Sequence, residues 1–218
     1  MSNSYEQLKK ITEDRHSVRA FDGKPIEDGV LEEILGYSLR CPTSLNLQPY
    51  KLIVVRNKEK LEDLATGMDA GNDHAVRSSS ATILVLSDLS LSVCRVLFVD
   101  PEKDAPTGMG LLLLTYYTNT ILNVLFGWIF DLFFSFLRLF RTSPRRFSRE
   151  AWSFQQCGFM IQNLILLAKS KGIDSLIMEG FTEDKVRQIM KIPKRYQIAS
   201  IVSFGYKARN AVVKGRVR

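Results

Sequence analysis

Two clusters within the first fifty residues carry the side chains best equipped for chemistry. Arg15, His16, Ser17 and Arg19 crowd into "RHSVR". Two guanidinium groups beside a hydroxyl suit a phosphate or another anion, because arginine presents paired planar donors. Further on, "PTSLNLQP" supplies Pro42, Thr43, Ser44, Asn46 and Gln48. Its hydroxyls, amides and backbone donors suit the hydroxyl chain and heterocycle edge of a cofactor. An ordinary capped turn has the same composition. Two later pieces add to these. "MEGF" spans Met178, Glu179, Gly180 and Phe181, and "VKGRVR" contributes Lys214 and Arg216. Lys207 and Arg209, after "FGY", form a second basic pair. Basic residues at both ends of the sequence could converge on one phosphate.

Other chemistries have little support. There is no GxSxG elbow, and His16 and His74 have no nucleophile at a defined spacing. "GMG" (Gly108–Gly110) lacks a third glycine and leads into leucines, so it does not open a dinucleotide-binding βαβ unit. A Walker loop is absent. Cys41, Cys94 and Cys157 are widely separated and odd in number, which argues against zinc or a disulfide framework. No metal site is expected. Buried free thiols in a reducing cytoplasm fit better. The opening residues carry acids and no apolar run, so a secretory signal is not expected.

The net charge of +7 is unevenly spread. Arg138 to Arg149 holds five arginines and no acid, and Lys191 to Arg218 holds eight basic residues and no acid. The rest of the chain is therefore net acidic. Such clusters attract phosphates, anionic lipid or nucleic acid, or form a solvated basic face. No recognition helix or aromatic-interleaved RNA motif accompanies them, so nucleic-acid binding is not expected.

The elements that must position these groups alternate helix with short strand. Tyr5–Asp14 and Ile26–Leu39 have helical apolar spacing, with Pro25 just before or within the first turn of the second. "KLIVVR" (Lys51–Arg56) reads as a strand, and Asn57 caps a helix through Leu64. "ATILVLS" (Ala81–Ser87) is a buried strand. Ala151–Lys171 is a long helix stopped by Gly172, followed by a short extended stretch. Thr182 caps a helix through Met190, and Gln197–Tyr206 is a strand. The pattern implies an α+β layered fold in a single domain of 218 residues.

A divergent region lies at about 108–149. From Leu111 to Phe140 the only charges are Asp131 and Arg138. Asn123, Gly127, Asp131, Ser135 and Arg138 make a narrow polar stripe on an otherwise apolar helix. The wide apolar face suits a subunit interface or active-site cover, a membrane surface, or a true span.

In this order the four motifs resemble the nitroreductase family of FMN-dependent NAD(P)H oxidoreductases. The resemblance covers roughly residues 10–90 and 150–216. It implies an α+β sandwich of a small mixed or antiparallel sheet flanked by helices, in an intertwined homodimer. It implies that Arg15, His16, Ser17 and Arg19 hold the flavin phosphate and ring. It further implies that Pro42, Thr43, Ser44, Asn46 and Gln48 face the flavin bound mainly by the other subunit. Glu179 and Gly180 would lie beside the reactive N5 as the candidate catalytic positions, Met178 would join them in binding the cofactor, and Lys214 and Arg216 would close the phosphate clamp. Hydride would pass from NAD(P)H through N5 to a nitroaromatic, quinone or activated alkene in a ping-pong cycle. The competing expectation is a membrane-associated flavin-binding or storage protein with little turnover, peripheral to a membrane through Leu111–Phe140.

Overall fold

The computed structural model describes residues 4–69, 71–88 and 149–212, with five further helical positions between 128 and 136. The order of elements is α1 (Ser4–Asp14), α2 (Asp28–Ser38), β1 (Tyr50–Val55), α3 (Lys58–Ala65), α4 (Asn72–Ser78), β2 (Ala81–Asp88), α5 (Arg149–Ser170), β3 (Asp174–Met178), α6 (Glu183–Met190) and β4 (Tyr196–Gly205). The four strands form one sheet in the order β1-β2-β4-β3, and every strand pair is antiparallel.

The sheet is covered on both faces. On one, Leu84, Leu86, Leu176 and Ile201 meet Leu61, Leu64, Ala75, Val76 and Val186 from α3, α4 and α6. On the other, Ile83, Val85, Val202 and Phe204 meet Leu31 and Ile34 of α2 and Cys157, Met160 and Leu164 of α5. This double cover explains why β2 reads as an unbroken apolar run: each residue from Ala81 to Ser87 is buried. The hydroxyls that enter this interior pair with one another. Thr82 and Ser203 sit 2.8 Å apart across the β2–β4 ladder, and Ser87 donates to Ser153 of α5 at 2.7 Å.

Local signals set most boundaries. Asn57 accepts the Lys60 N–H at 3.0 Å and starts α3 as expected. Gly172 has φ 76°, and the Gly172→Lys169 and Ile173→Ala168 backbone bonds (2.9 Å each) close α5 as a Schellman motif. Three expectations need correction. The second helix starts at Asp28 rather than Ile26. Ile26 lies outside it, fully buried, and its carbonyl accepts from Arg56, which also pairs with Asp28 at the helix start. Thr182 occupies the N-cap of α6 without a side-chain cap bond. Helix α4 was not expected at all; it is seven residues long and buries only Ala75 and Val76. A stripe that short has no detectable period.

Cys41 and Cys157 are free and buried, as expected; Cys94 lies outside the described residues. Most of Leu111–Phe140 lies outside them too. Within it Trp128, Ile129, Leu132 and Phe136 are helical and exposed. Among the described residues no helix is long and apolar enough to cross a membrane. Leu164 has no exposed surface and fills the space between α5 and the sheet. Leu164→Ala should therefore cost about 3 kcal/mol, read as a lower urea midpoint at unchanged slope.

Candidate functional site

The opening segment crosses the end of the sheet and is bound on both sides. Ser17 bridges Ser175 of β3, and the Val18 N–H reaches the Ser175 carbonyl at 3.1 Å. Four residues on, Phe21 bridges Lys207, with Asp22 N–H to Tyr206 O at 2.9 Å and Ala208 N–H to Ala20 O at 3.1 Å. The Phe21 N–H also donates to Ser78 Oγ at 3.2 Å. Val18 and Phe21 are buried anchors, and Arg19 is left exposed between them. Gly205 makes the crossing possible, because a Cβ there would stand 3.0 Å from the Phe21 ring and its Cβ. The register that pairs Asp22 with Tyr206 and Ala20 with Ala208 carries Arg209 toward Arg19. Like charges held close together are unfavourable without an anion between them.

Arg15 and His16 begin this segment, both half-buried. The His16 Nδ1 lies 3.0 Å from the Asp14 carbonyl. Of the two basic pairs, Lys207 and Arg209 are thus brought to the opening motif. Lys214 and Arg216 lie outside the described residues.

The small-polar loop stands elsewhere. It precedes β1, whose Tyr50 pairs with Ser87, which pairs in turn with Gln197 near the start of β4. Lys207 lies ten positions further along the chain, roughly 30 Å at the rise of an extended strand. Pro42–Gln48 and Arg15–Arg19 therefore occupy opposite ends of the sheet. The loop is internally braced: the Gln48 N–H donates to Thr43 Oγ1 at 3.1 Å, and Gln48 Nε2 to Asn46 Oδ1 at 3.0 Å. Buried Gln156 of α5 accepts the Ser44 N–H at 2.9 Å. Asn46 and Gln48 have φ of 51° and 46°. Asparagine tolerates that region; glutamine rarely adopts it, and such strain gathers at functional loops. A hollow of about 230 Å³ beside the loop is lined by Leu39, Gln48, Tyr50, Lys51 and Leu52. It is smaller than the usual small-molecule pocket.

The third piece follows β3. Glu179 is exposed and Gly180 half-buried. The Gly180 carbonyl accepts the Asp69 N–H at 3.1 Å and Asn72 Nδ2 at 3.0 Å. Both its lone pairs are used, so a ligand contact from this residue must come from the N–H. The Met178 side chain is 2 % exposed and belongs to the core, so this residue can face a ligand only through its backbone. Asp69 and Asn72 were not among the expected site residues; their sequence context, "GMDAGND", reads simply as a turn.

Beneath the loop, Tyr50 Oη donates to the Leu39 carbonyl at 3.3 Å and lies 3.5 Å from Cys41 Sγ. Burial, then the Cys41 contact, raises the Tyr50 phenol above its ordinary value. Burial likewise pushes the Cys157 thiol up to about 12. Both groups hold their protons longer folded than unfolded. The Cys157 contribution is complete below an unfolded thiol's value of about 9 and is lost as pH rises toward 12, while that of Tyr50 begins to be lost only above an unfolded phenol's value of about 10. Stability should fall across that window, and Cys157→Ala should lose less of its urea midpoint between the two ends than the wild type does.

The nitroreductase family model matches residues 12–206. An NADH dehydrogenase of Thermus thermophilus is 26% identical over 206 residues, covering 93% of this chain and 88% of that protein. An oxygen-insensitive NADPH nitroreductase of Helicobacter acinonychis is 26% identical over 219 residues, covering 97% and 92%. Among solved structures, an FMN-dependent nitroreductase from Clostridium difficile superposes with a TM-score of 0.59 at 17% identity, covering 94% and 90%. With the match spanning both ends of the sheet, the chain belongs to the nitroreductase family.

Proposed function

We propose that this chain is an FMN-dependent oxidoreductase that moves reducing equivalents from NAD(P)H to a small oxidised molecule, and that it works as a homodimer. The observation that carries the reading is the double pairing of the opening segment, which brings Arg19 together with Lys207 and Arg209 at one sheet end. That donor set fits the phosphate of FMN. Guanidinium groups offer paired donors, the ammonium a point charge, and Ser17 a hydroxyl. Lys214 and Arg216 belong to the same clamp in this proposal.

Bound FMN would supply an isoalloxazine ring that accepts hydride from a nicotinamide and passes it to the substrate in a second step. The chain's own part is to bind and orient. The clamp anchors the phosphate, and the Gly180 N–H is the group offered to the ring edge beside Glu179. Positive charge at Arg15 and Arg19 favours the electron-rich state of whatever lies against it. No side chain is assigned as acid or base. The braced donors of Thr43, Ser44, Asn46 and Gln48 stand about 30 Å from the clamp and so serve a cofactor held by a second copy. Nitroaromatics, quinones and activated alkenes are the proposed substrates. All accept a hydride at an electron-poor centre.

The purified protein should be yellow, and its blue absorbance band should bleach when NADH or NADPH is added without air. Arg15→Ala combined with Arg19→Ala should weaken FMN binding at least tenfold in a fluorescence titration. Unchanged affinity would move the phosphate elsewhere.

A second reading has its own observation. Trp128, Ile129, Leu132 and Phe136 are exposed on helical positions, an apolar face suited to a membrane surface. On that reading the chain is a membrane-associated flavin-binding or storage protein with little turnover. It requires co-flotation with anionic liposomes and slow bleaching; a soluble, fast-bleaching protein removes it.

A further inference from the structure

We propose that Asp69 and Asn72 form a latch that orients the Glu179–Gly180 peptide, and that both act as positioning residues. The inference rests on the FMN reading above and adds two residues to it. Three successive peptides are involved. The first, Met178–Glu179, is held through its carbonyl, which accepts Ser200 Oγ at 3.2 Å. The third, Gly180–Phe181, is held through its carbonyl by the Asp69 N–H at 3.1 Å and Asn72 Nδ2 at 3.0 Å. The strap around it is continuous: Met68 bridges Phe181, and the Thr182 N–H reaches the Gly67 carbonyl at 2.8 Å. The middle peptide, which carries the Gly180 N–H, is suspended between two pinned ones.

Glycine would otherwise let that peptide swing, because its φ and ψ are the least restricted of any residue. The latch removes the freedom, and the absence of a side chain at position 180 leaves it room. A Cβ at position 180 would stand 3.0 Å from Asn72 Nδ2, the side-chain donor to the carbonyl, and 3.0 Å from Asp69 Oδ2, so a side chain there crowds the latch by a few tenths of an ångström. Asn72 is the first residue of α4, and the N-cap is Gly71. Replacing Asn72 by alanine therefore removes the donor without removing a cap, and alanine is a good helix former.

The consequence is a separation of binding from reactivity. The latch lies away from the phosphate clamp, so its loss should leave FMN affinity nearly intact while the N–H loses its aim. In the flavin-free chain, Asn72→Ala should raise hydrogen exchange at least tenfold at the Asp69 and Thr182 amides, which donate to the Gly180 and Gly67 carbonyls, with Ile201 and Val202 in β4 unchanged as the control for folding. In the FMN-loaded protein the same variant should keep FMN affinity within twofold and slow anaerobic bleaching by NAD(P)H about tenfold. Gly180→Ala should slow bleaching to a similar degree, and the double variant should lose no more than the worse single one, because both disturb one contact. Unchanged exchange at Asp69 and Thr182 overturns the latch, whether or not flavin binds. Unchanged bleaching with raised exchange overturns its positioning role. A wild-type chain that takes up no FMN overturns the underlying reading instead, and the exchange measurement still decides the latch.

Discussion

The long strand β4 is the constraint on which the rest of the molecule depends. It pairs with β2 along one edge and β3 along the other, and it is buried at almost every position. Its length sets the distance between the sheet's two ends, and each end carries a different set of hydrogen-bond donors. At the Gly205 end the opening segment is stitched to the residues that follow the strand. At the Tyr196 end stand the start of β1 and the small-polar loop before it. A rigid ten-residue strand cannot bring its ends together, so within one copy the two sets cannot meet. That separation is a property of strand geometry, fixed before any interface is considered.

The same sheet stabilises the basic cluster. Pairing the segment that carries Arg19 with the one that carries Lys207 and Arg209 sets basic residues on neighbouring segments, and the surrounding structure fixes that register. Phe21 is buried over Gly205, and backbone bonds on both sides of it set the register. Strain in the loop has a similar support. Gln48 is held at φ 46° by its bonds to Thr43 and Asn46, and Gln156 ties the loop to the central helix. Both regions are thus ordered by the fold itself.

How much could be read in the sequence depended on the range of the interactions. β2 and α5 were legible because double burial and a long apolar stripe leave an unmistakable pattern. So was Gly172, since a left-handed stop follows from local chemistry. The clusters at Arg15–Arg19 and Pro42–Gln48 were legible as donor sets, because charge and hydroxyl content need no fold to be seen. Their arrangement was not legible. The pairing of Phe21 with Lys207 spans nearly the whole chain. Nothing local distinguishes Lys207 and Arg209 from Lys214 and Arg216 as partners of Arg19. Helix α4 escaped for a related reason: with two buried residues and a left-handed glycine before it, "GNDHAVRS" looks like a turn. Met178 was grouped with Glu179 and Gly180 by proximity in sequence, yet alternation along β3 turns its side chain into the core.

Asp69 and Asn72 show why a short, marginal helix is kept at that place. Helix α4 buries little and has no side-chain cap, so its contribution to stability is small. Its first residue supplies the Nδ2 donor to the Gly180 carbonyl, and the turn before it supplies the Asp69 N–H. These donors reach across from the helical layer to the end of β3, where a glycine has no side chain of its own to fix its conformation. The helix is tied to the sheet by Val76 and Ala75 on its inner side. The position of the Gly180 peptide is thus inherited from the core through two buried side chains, one helix start and one carbonyl. Precision at the proposed reaction centre then depends on packing more than on any charged group, in keeping with a chemistry in which the protein orients and the cofactor reacts.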